Sequence, residues 1–99
     1  MNKRRRDKIE KRHADEAWSL DVREKGFCEV CEAKKGLNAH HILVKERYPE
    51  YRHEMLNGIC LCNRCHKFAQ HSAHRNPIWW SIWLKEHKPA LYNWAEKHL

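Results

Sequence analysis

Two Cys-x-x-Cys pairs, Cys28-Glu-Val-Cys31 and Cys62-Asn-Arg-Cys65, stand thirty residues apart in a chain of 99. Thiolates bind Zn²⁺ strongly, and a two-residue spacer lets one tight turn present two sulfurs to one ion. The four cysteines therefore read as a tetrahedral zinc site. The interval between the pairs exceeds the roughly 15–20 residues of a simple structural site. It holds the adjacent pair His40-His41 and, close to the second knuckle, Asn57; His66 follows Cys65 directly. Zinc would then clamp the two ends of an insert that carries chemistry.

Those histidines suit phosphodiester hydrolysis. A neutral imidazole, with a pKa near 6.5, can take the proton of an attacking water. A divalent cation can neutralise charge on the phosphate and on the leaving oxygen. Neighbours on a strand point to opposite faces, so His40 and His41 are expected to do different jobs, one as base and one as ligand. His66 could add a ligand from the start of the following helix. Other readings make both histidines ligands of a larger zinc cluster, or His66 a helix cap or the one imidazole beside three thiolates. Redox use of the cysteine pairs would call for a thioredoxin-like βαβ context, which is missing. His53, His71 and His74 read as surface histidines, and Cys60 as a small buried hydrophobe.

These residues need elements to position them. Leu37 to Leu43 reads as a short strand ending in the histidine pair, and Asn57 to Leu61 as the returning strand. Between them lies a long polar loop, of a length often functional. A helix is expected from Asn63 or Arg64 to about Ala73. Upstream, a helix from about Asp7 to Lys25 is expected to bury a stripe of Ile9, His13, Ala17 and Leu20, stopped by Gly26. Downstream, Asn76-Pro77 is a helix start, and Lys88-Pro89 ends that helix and opens another. Ile78, Trp79, Ile82 and Trp83, then Leu91, Trp94 and Ala95, read as core.

The composition sets bounds. The chain suits one small domain, which calls for a metal staple. Five cysteines, an odd number, and the lack of an apolar leader favour thiolate ligands in a reducing cytoplasm. No apolar run could cross a membrane. Formal charge is +7, and mean hydropathy is -0.98. Seven basic residues against two acidic fall within the first twelve. Residues 1–6 read as a basic disordered arm, with Lys3, Arg4, Arg5, Arg6 and Lys8 as nucleic-acid contacts, because phosphate contacts need no sequence preference.

Cys-x-x-Cys, then Ala-His-His-Ile, then Asn-x-Ile-x-Leu-Cys-x-x-Cys-His resembles the zinc-containing branch of the HNH endonuclease family. The match covers Cys28 to His66 and the helix beyond it, under half the chain. The resemblance implies an α+β fold: a ββα-metal core over 28–74 with a structural four-cysteine zinc site, within a domain of 7–99. An N-terminal helix and a Trp-rich helical extension over 76–98 would flank that core. It also implies roles. His41 would be the general base and Asn57 its brace, together the catalytic pair. His40 and His66 would hold the catalytic ion, Mg²⁺ or Mn²⁺, with Ni²⁺ or Zn²⁺ also acceptable to imidazoles. Cys28, Cys31, Cys62 and Cys65 would hold structural zinc. Some relatives carry a further ligand four residues after the last histidine; here that residue is Gln70, a poor ligand, with His71 beside it. The implied activity is metal-dependent DNA nicking with weak sequence preference, by a monomer or weak homodimer. The basic start and Trp-rich end resemble small phage-encoded members, which places the chain in the host cytoplasm. Alternatives are a non-catalytic zinc-stabilised nucleic-acid binder and an accessory subunit of a phage terminase.

Overall fold

A computed structural model describes residues 2–99. Its centre is a two-stranded antiparallel hairpin, β1 (Leu37–His41) and β2 (Gly58–Cys62). Register pairs Leu37 with Cys62 at one end and His41 with Gly58 at the other. The histidine pair thus sits at the loop end of the hairpin and the cysteine knuckles at its base. β2 is buried along its whole length. Its side chains alternate between two layers: Ile59 and Leu61 pack with Trp80 and Leu84, and Cys60 packs with Trp18 and Val22. The fold is a small α+β domain, helix on either side of a hairpin.

The first of those layers is α1 (Lys3–Arg23), whose start is capped by Asn2, with Oδ1 accepting from the Arg5 N–H at 2.9 Å. The helix therefore begins at Lys3, and the basic residues expected in a disordered arm lie on its first turns. Its buried face also differs from the expected stripe. Leu20 is 61% exposed, and His13 and Ala17 face solvent; Trp18 and Val22, one turn apart, are the buried pair. The expected stripe had apolar spacing, but the larger apolar surface of Trp18 decides which side docks. The Trp18 indole N–H also donates to the Glu54 carbonyl at 2.9 Å, which fixes the helix against the loop.

The second layer is α2 (Pro77–His87) followed by α3 (Pro89–Lys97), each opened by its proline as expected. Asn76 caps α2, with Oδ1 accepting from the Trp79 N–H at 3.1 Å. The buried residues of α2 are Trp80 and Leu84; Ile78 and Ile82 are exposed, contrary to the expected core, whereas Trp79 and Trp83 are half-buried and pack against it. Glu29 ties the layers together. Its largely buried carboxylate accepts from the Cys60 N–H at 2.8 Å and pairs with Lys25 at 3.3 Å and Lys88 at 3.1 Å. Cys60 itself packs as a small hydrophobe outside the cysteine cluster, and burial raises its thiol pKa.

The expected helix after the second knuckle does not run to Ala73. Arg64–Phe68 makes one π-helical turn, with the Ala69 N–H reaching back to the Arg64 carbonyl at 2.8 Å. The chain then folds back. The Ala73 N–H bonds the Cys65 carbonyl at 2.9 Å, and the His74 N–H bonds the His66 carbonyl at 3.0 Å.

Gly58 lies directly against Trp18 and Val22 of α1. A Cβ there would lie 2.5 Å from Val22 Cγ2 and 2.9 Å from Trp18 Cζ2. Overpacking of this kind costs about 1–3 kcal/mol. Gly58→Ala should lower the urea midpoint accordingly; an unchanged midpoint would show that α1 does not press on β2 at this residue.

Candidate functional site

The four predicted zinc ligands converge at the base of the hairpin. Their sulfurs lie within 4.8 Å of one another, and Cys31 Sγ is 3.6 Å from Cys62 Sγ. Sulfurs at about 2.3 Å around a tetrahedral Zn²⁺ would lie about 3.8 Å apart. The cluster is therefore compatible with a zinc site. Backbone geometry prepares it: the first knuckle is closed by the Cys28 N–H on the Ala33 carbonyl and the Glu32 N–H on the Cys28 carbonyl, both 2.8 Å. Burial pushes the Cys28 thiol up, but the N–H groups of Cys31, Cys62 and Val30 outweigh it and bring the pKa down to about 7. Burial and the neighbouring thiols push Cys65 up. A metal cation reverses that by stabilising the thiolates.

At the other end of the hairpin His41 is held on two sides. Its ring stacks on Trp18, with centroids 3.9 Å apart and planes 8° from parallel. Its Nε2 lies 2.9 Å from the Arg52 carbonyl oxygen. A carbonyl only accepts, so Nε2 carries the hydrogen and Nδ1 keeps the lone pair. Burial lowers the pKa of His41, which keeps the ring neutral. The carbonyl is itself anchored. The Arg52 guanidinium donates to both carboxylate oxygens of Asp15 on α1, at 2.7 and 2.8 Å, and His53 Nε2 lies 2.6 Å from Asp15 Oδ1. Those partners, led by the Arg52 hydrogen bonds, hold the Asp15 carboxyl well below its usual range. His53, expected as a plain surface residue, is thus a partner of Asp15.

Asn57 closes the loop that carries Arg52. Its Oδ1 accepts from the Leu43 N–H at 2.6 Å, and its Nδ2 donates to the carbonyls of Leu43 at 3.1 Å and Tyr51 at 3.0 Å. Asn57 is fully buried. It braces the loop whose Arg52 carbonyl meets His41.

His40 leaves the strand toward different neighbours. Its ring meets those of His66 and His74 edge-on, at 5.0 and 5.1 Å between centroids, with Trp80 behind it at 5.5 Å. One ligand nitrogen from each of His40, His66 and His74 lies within 4.8 Å of the others. His66 Nε2 and His74 Nε2 are 3.0 Å apart. That is the separation of two nitrogens at right angles around an ion about 2.1 Å away. Burial, then the neighbouring imidazoles, lowers His40 to about 3; burial, His74 and Lys67 lower His66 to about 4. The neutral rings are the ligating form. This set could hold a metal ion.

His74 is the residue that sequence reasoning missed. On a regular helix it would lie about 12 Å from His66 along the axis; the π turn and fold-back bring it alongside. His71 instead stacks on Trp79 at 5.4 Å and lies outside the cluster. Trp18, Asp15 and Arg52 were also missed, because their contacts with His41 and with one another span 11 to 37 residues of sequence.

His40, His41, His66 and His74 line one open cleft of about 250 Å³, with Ala39, Val44, Lys45, Glu46 and Lys67. Lys3, Arg4, Arg5, Arg6 and Lys8 are exposed on the first turns of α1. No protein-family model, curated protein or solved structure matches this chain. Among the described residues, no helix is long and apolar enough to cross a membrane.

Two outcomes follow from this geometry. Because metal binding in a small four-cysteine site supplies about 10 kcal/mol or more of folding free energy, chelation of the zinc-loaded protein should abolish its cooperative thermal transition; a metal-free sample with an unchanged transition would refute a folding role. His74→Ala should weaken Mn²⁺ binding, followed by calorimetry, by about tenfold or more, whereas His71→Ala should leave it unchanged. Equal affinities in wild type and His74→Ala would remove His74 from the ligand set.

Proposed function

We propose that this chain is a metal-dependent DNA endonuclease of the HNH type. The observation that carries the proposal is one cleft shared by a neutral histidine with a free Nδ1 and a three-histidine set able to hold a cation. The resemblance over Cys28 to His66 supports the same assignment. The ββα-metal identity belongs to this proposal too, with a single π-helical turn in the place of the α-helix. So does the assignment of the cysteine cluster to structural zinc.

In the proposed reaction His41 Nδ1 accepts a proton from water as the water oxygen attacks phosphorus. The hydrogen bond from Nε2 to the Arg52 carbonyl holds the ring in the required tautomer and stabilises the imidazolium that forms. The bond from phosphorus to the 3′ oxygen breaks and that oxygen takes a proton from solvent, which leaves 5′-phosphate and 3′-hydroxyl ends, and His41 then releases its proton to solvent. His40, His66 and His74 would hold Mg²⁺, Mn²⁺ or another divalent ion, which supplies charge neutralisation at the phosphate and the departing oxygen. His74 as a third ligand replaces the two-histidine shell expected from the sequence. Asn57, Arg52 and Trp18 act through His41 by fixing its position.

The substrate is proposed to be DNA because the cleft and the cationic start of α1 lie on one chain with a high positive charge. With the cleft at the end of a short hairpin, contacts to backbone should exceed contacts to base edges. The expected activity is nicking by a monomer with weak sequence preference; a partner such as a phage terminase would add a second role.

Plasmid nicking with Mg²⁺, Mn²⁺ or Ni²⁺ tests this. His41→Ala should reduce the rate by about 10²–10⁴-fold while duplex binding persists. Equal rates would remove His41 as the base, and DNA binding without cleavage under any metal would leave a zinc-folded binding module.

A further inference from the structure

The face of α1 that docks on the hairpin does not end where the body ends. Val22, Trp18 and Asp15 hold the hairpin and its loop. Continuing toward the N-terminus at the same alternation of four and three residues, the line passes through Lys11, Lys8 and Arg4. At 3.6 residues per turn, all six lie within about 80° of one another around the helix. The first three are used by the fold. The last three are exposed and cationic. Arg5 and Arg12 flank the line on one side and Asp7 on the other. The line starts over the catalytic-base candidate, since Trp18 is stacked on His41.

We infer that Arg4, Lys8 and Lys11 form a phosphate-binding track that carries the flank of a DNA duplex away from the cleft on one side. This inference rests on the nuclease reading for the position of the scissile phosphate. The continuity of the line with the His41 contact favours duplex DNA over an acidic protein or an anionic membrane, because a polyanion seated in the cleft is led onto these three side chains. With a rise of about 1.5 Å per residue, Lys11, Lys8 and Arg4 lie about 10, 15 and 21 Å along the axis from Trp18. That spans about 3 to 6 base pairs of duplex from the cleaved bond. Lys3 and Arg6 lie roughly 100° and 160° around the helix from this line. Lys3 and Asp7 share a shallow depression with Arg4, Lys8 and Lys11, so Lys3 edges the track and Arg6, on the far side of the helix, faces away from it.

The test is duplex binding by the full zinc-loaded chain, followed by fluorescence anisotropy across a salt series without added divalent metal. K8Q/K11Q is compared with K34Q/K35Q, at the base of the hairpin away from the His41 end; both remove two charges at exposed residues, and circular dichroism checks that the fold is kept. K8Q/K11Q should make the slope of log affinity against log salt shallower by about 1.8, two phosphate contacts at about 0.9 each. K34Q/K35Q should leave the slope within about 0.5 of wild type. Equal slopes for the two variants, an unaltered slope in K8Q/K11Q, or failure of the wild type to bind duplex DNA would overturn the track. Wild type that binds through the track yet never nicks DNA would defeat the nuclease reading alone. A chain that nicks DNA in a His41-dependent way with equal slopes would defeat the track alone.

Discussion

The convergence of four sulfurs at the base of the hairpin is the constraint on which the other parts depend. Cys28 and Cys31 precede β1, Cys62 ends β2, and Cys65 lies on the π turn that follows. Bringing these sulfurs to one point fixes the entry of the first strand, the exit of the second, and the start of the turn that carries His66. The apolar core around them is small, and three of the cysteines are among its buried members. A core this small is of the kind that a metal closing the knot would staple.

The site is then built by what hangs from the knot at a distance. β1 carries the histidine pair to the loop end, where strand alternation sends the two rings to different partners. His40 goes toward the π turn and α2; His41 goes toward α1. The Arg52 carbonyl holds His41 in one tautomer, and that carbonyl is held by Asp15 through the Arg52 side chain and by Asn57 through the loop. The bare backbone at Gly58 is what lets Trp18 come close enough to stack. An N-terminal helix outside the cysteine knuckles thus holds one face of the His41 ring.

The π turn has a comparable effect on the other side of the cleft. A continuous helix would have carried His74 away from His66. One wide turn followed by two backbone bonds, from Ala73 to Cys65 and from His74 to His66, returns the chain on itself. Ser72, fully buried, steadies the return by accepting from the Arg75 N–H at 3.2 Å. A local departure from helical geometry here assembles three imidazoles from segments that sequence spacing would separate.

The cysteine spacing made each half of the cluster legible, because Cys-x-x-Cys geometry is local; pairing of the two strands brings the halves together. The strand pair, the Asn76-Pro77 and Pro89 helix starts, and the burial of Cys60 were legible for the same reason: each rests on backbone preference or on a short apolar pattern. The buried side of α1, the outward face of Ile78 and Ile82, the capped helix start at Lys3 and the place of His74 were not legible. Each depends on which surface a neighbouring element leaves free, or on a turn whose hydrogen bonds close only after the chain has folded back. Residue types set which chemistry was available; tertiary packing decided which imidazole keeps its lone pair and which three face one point.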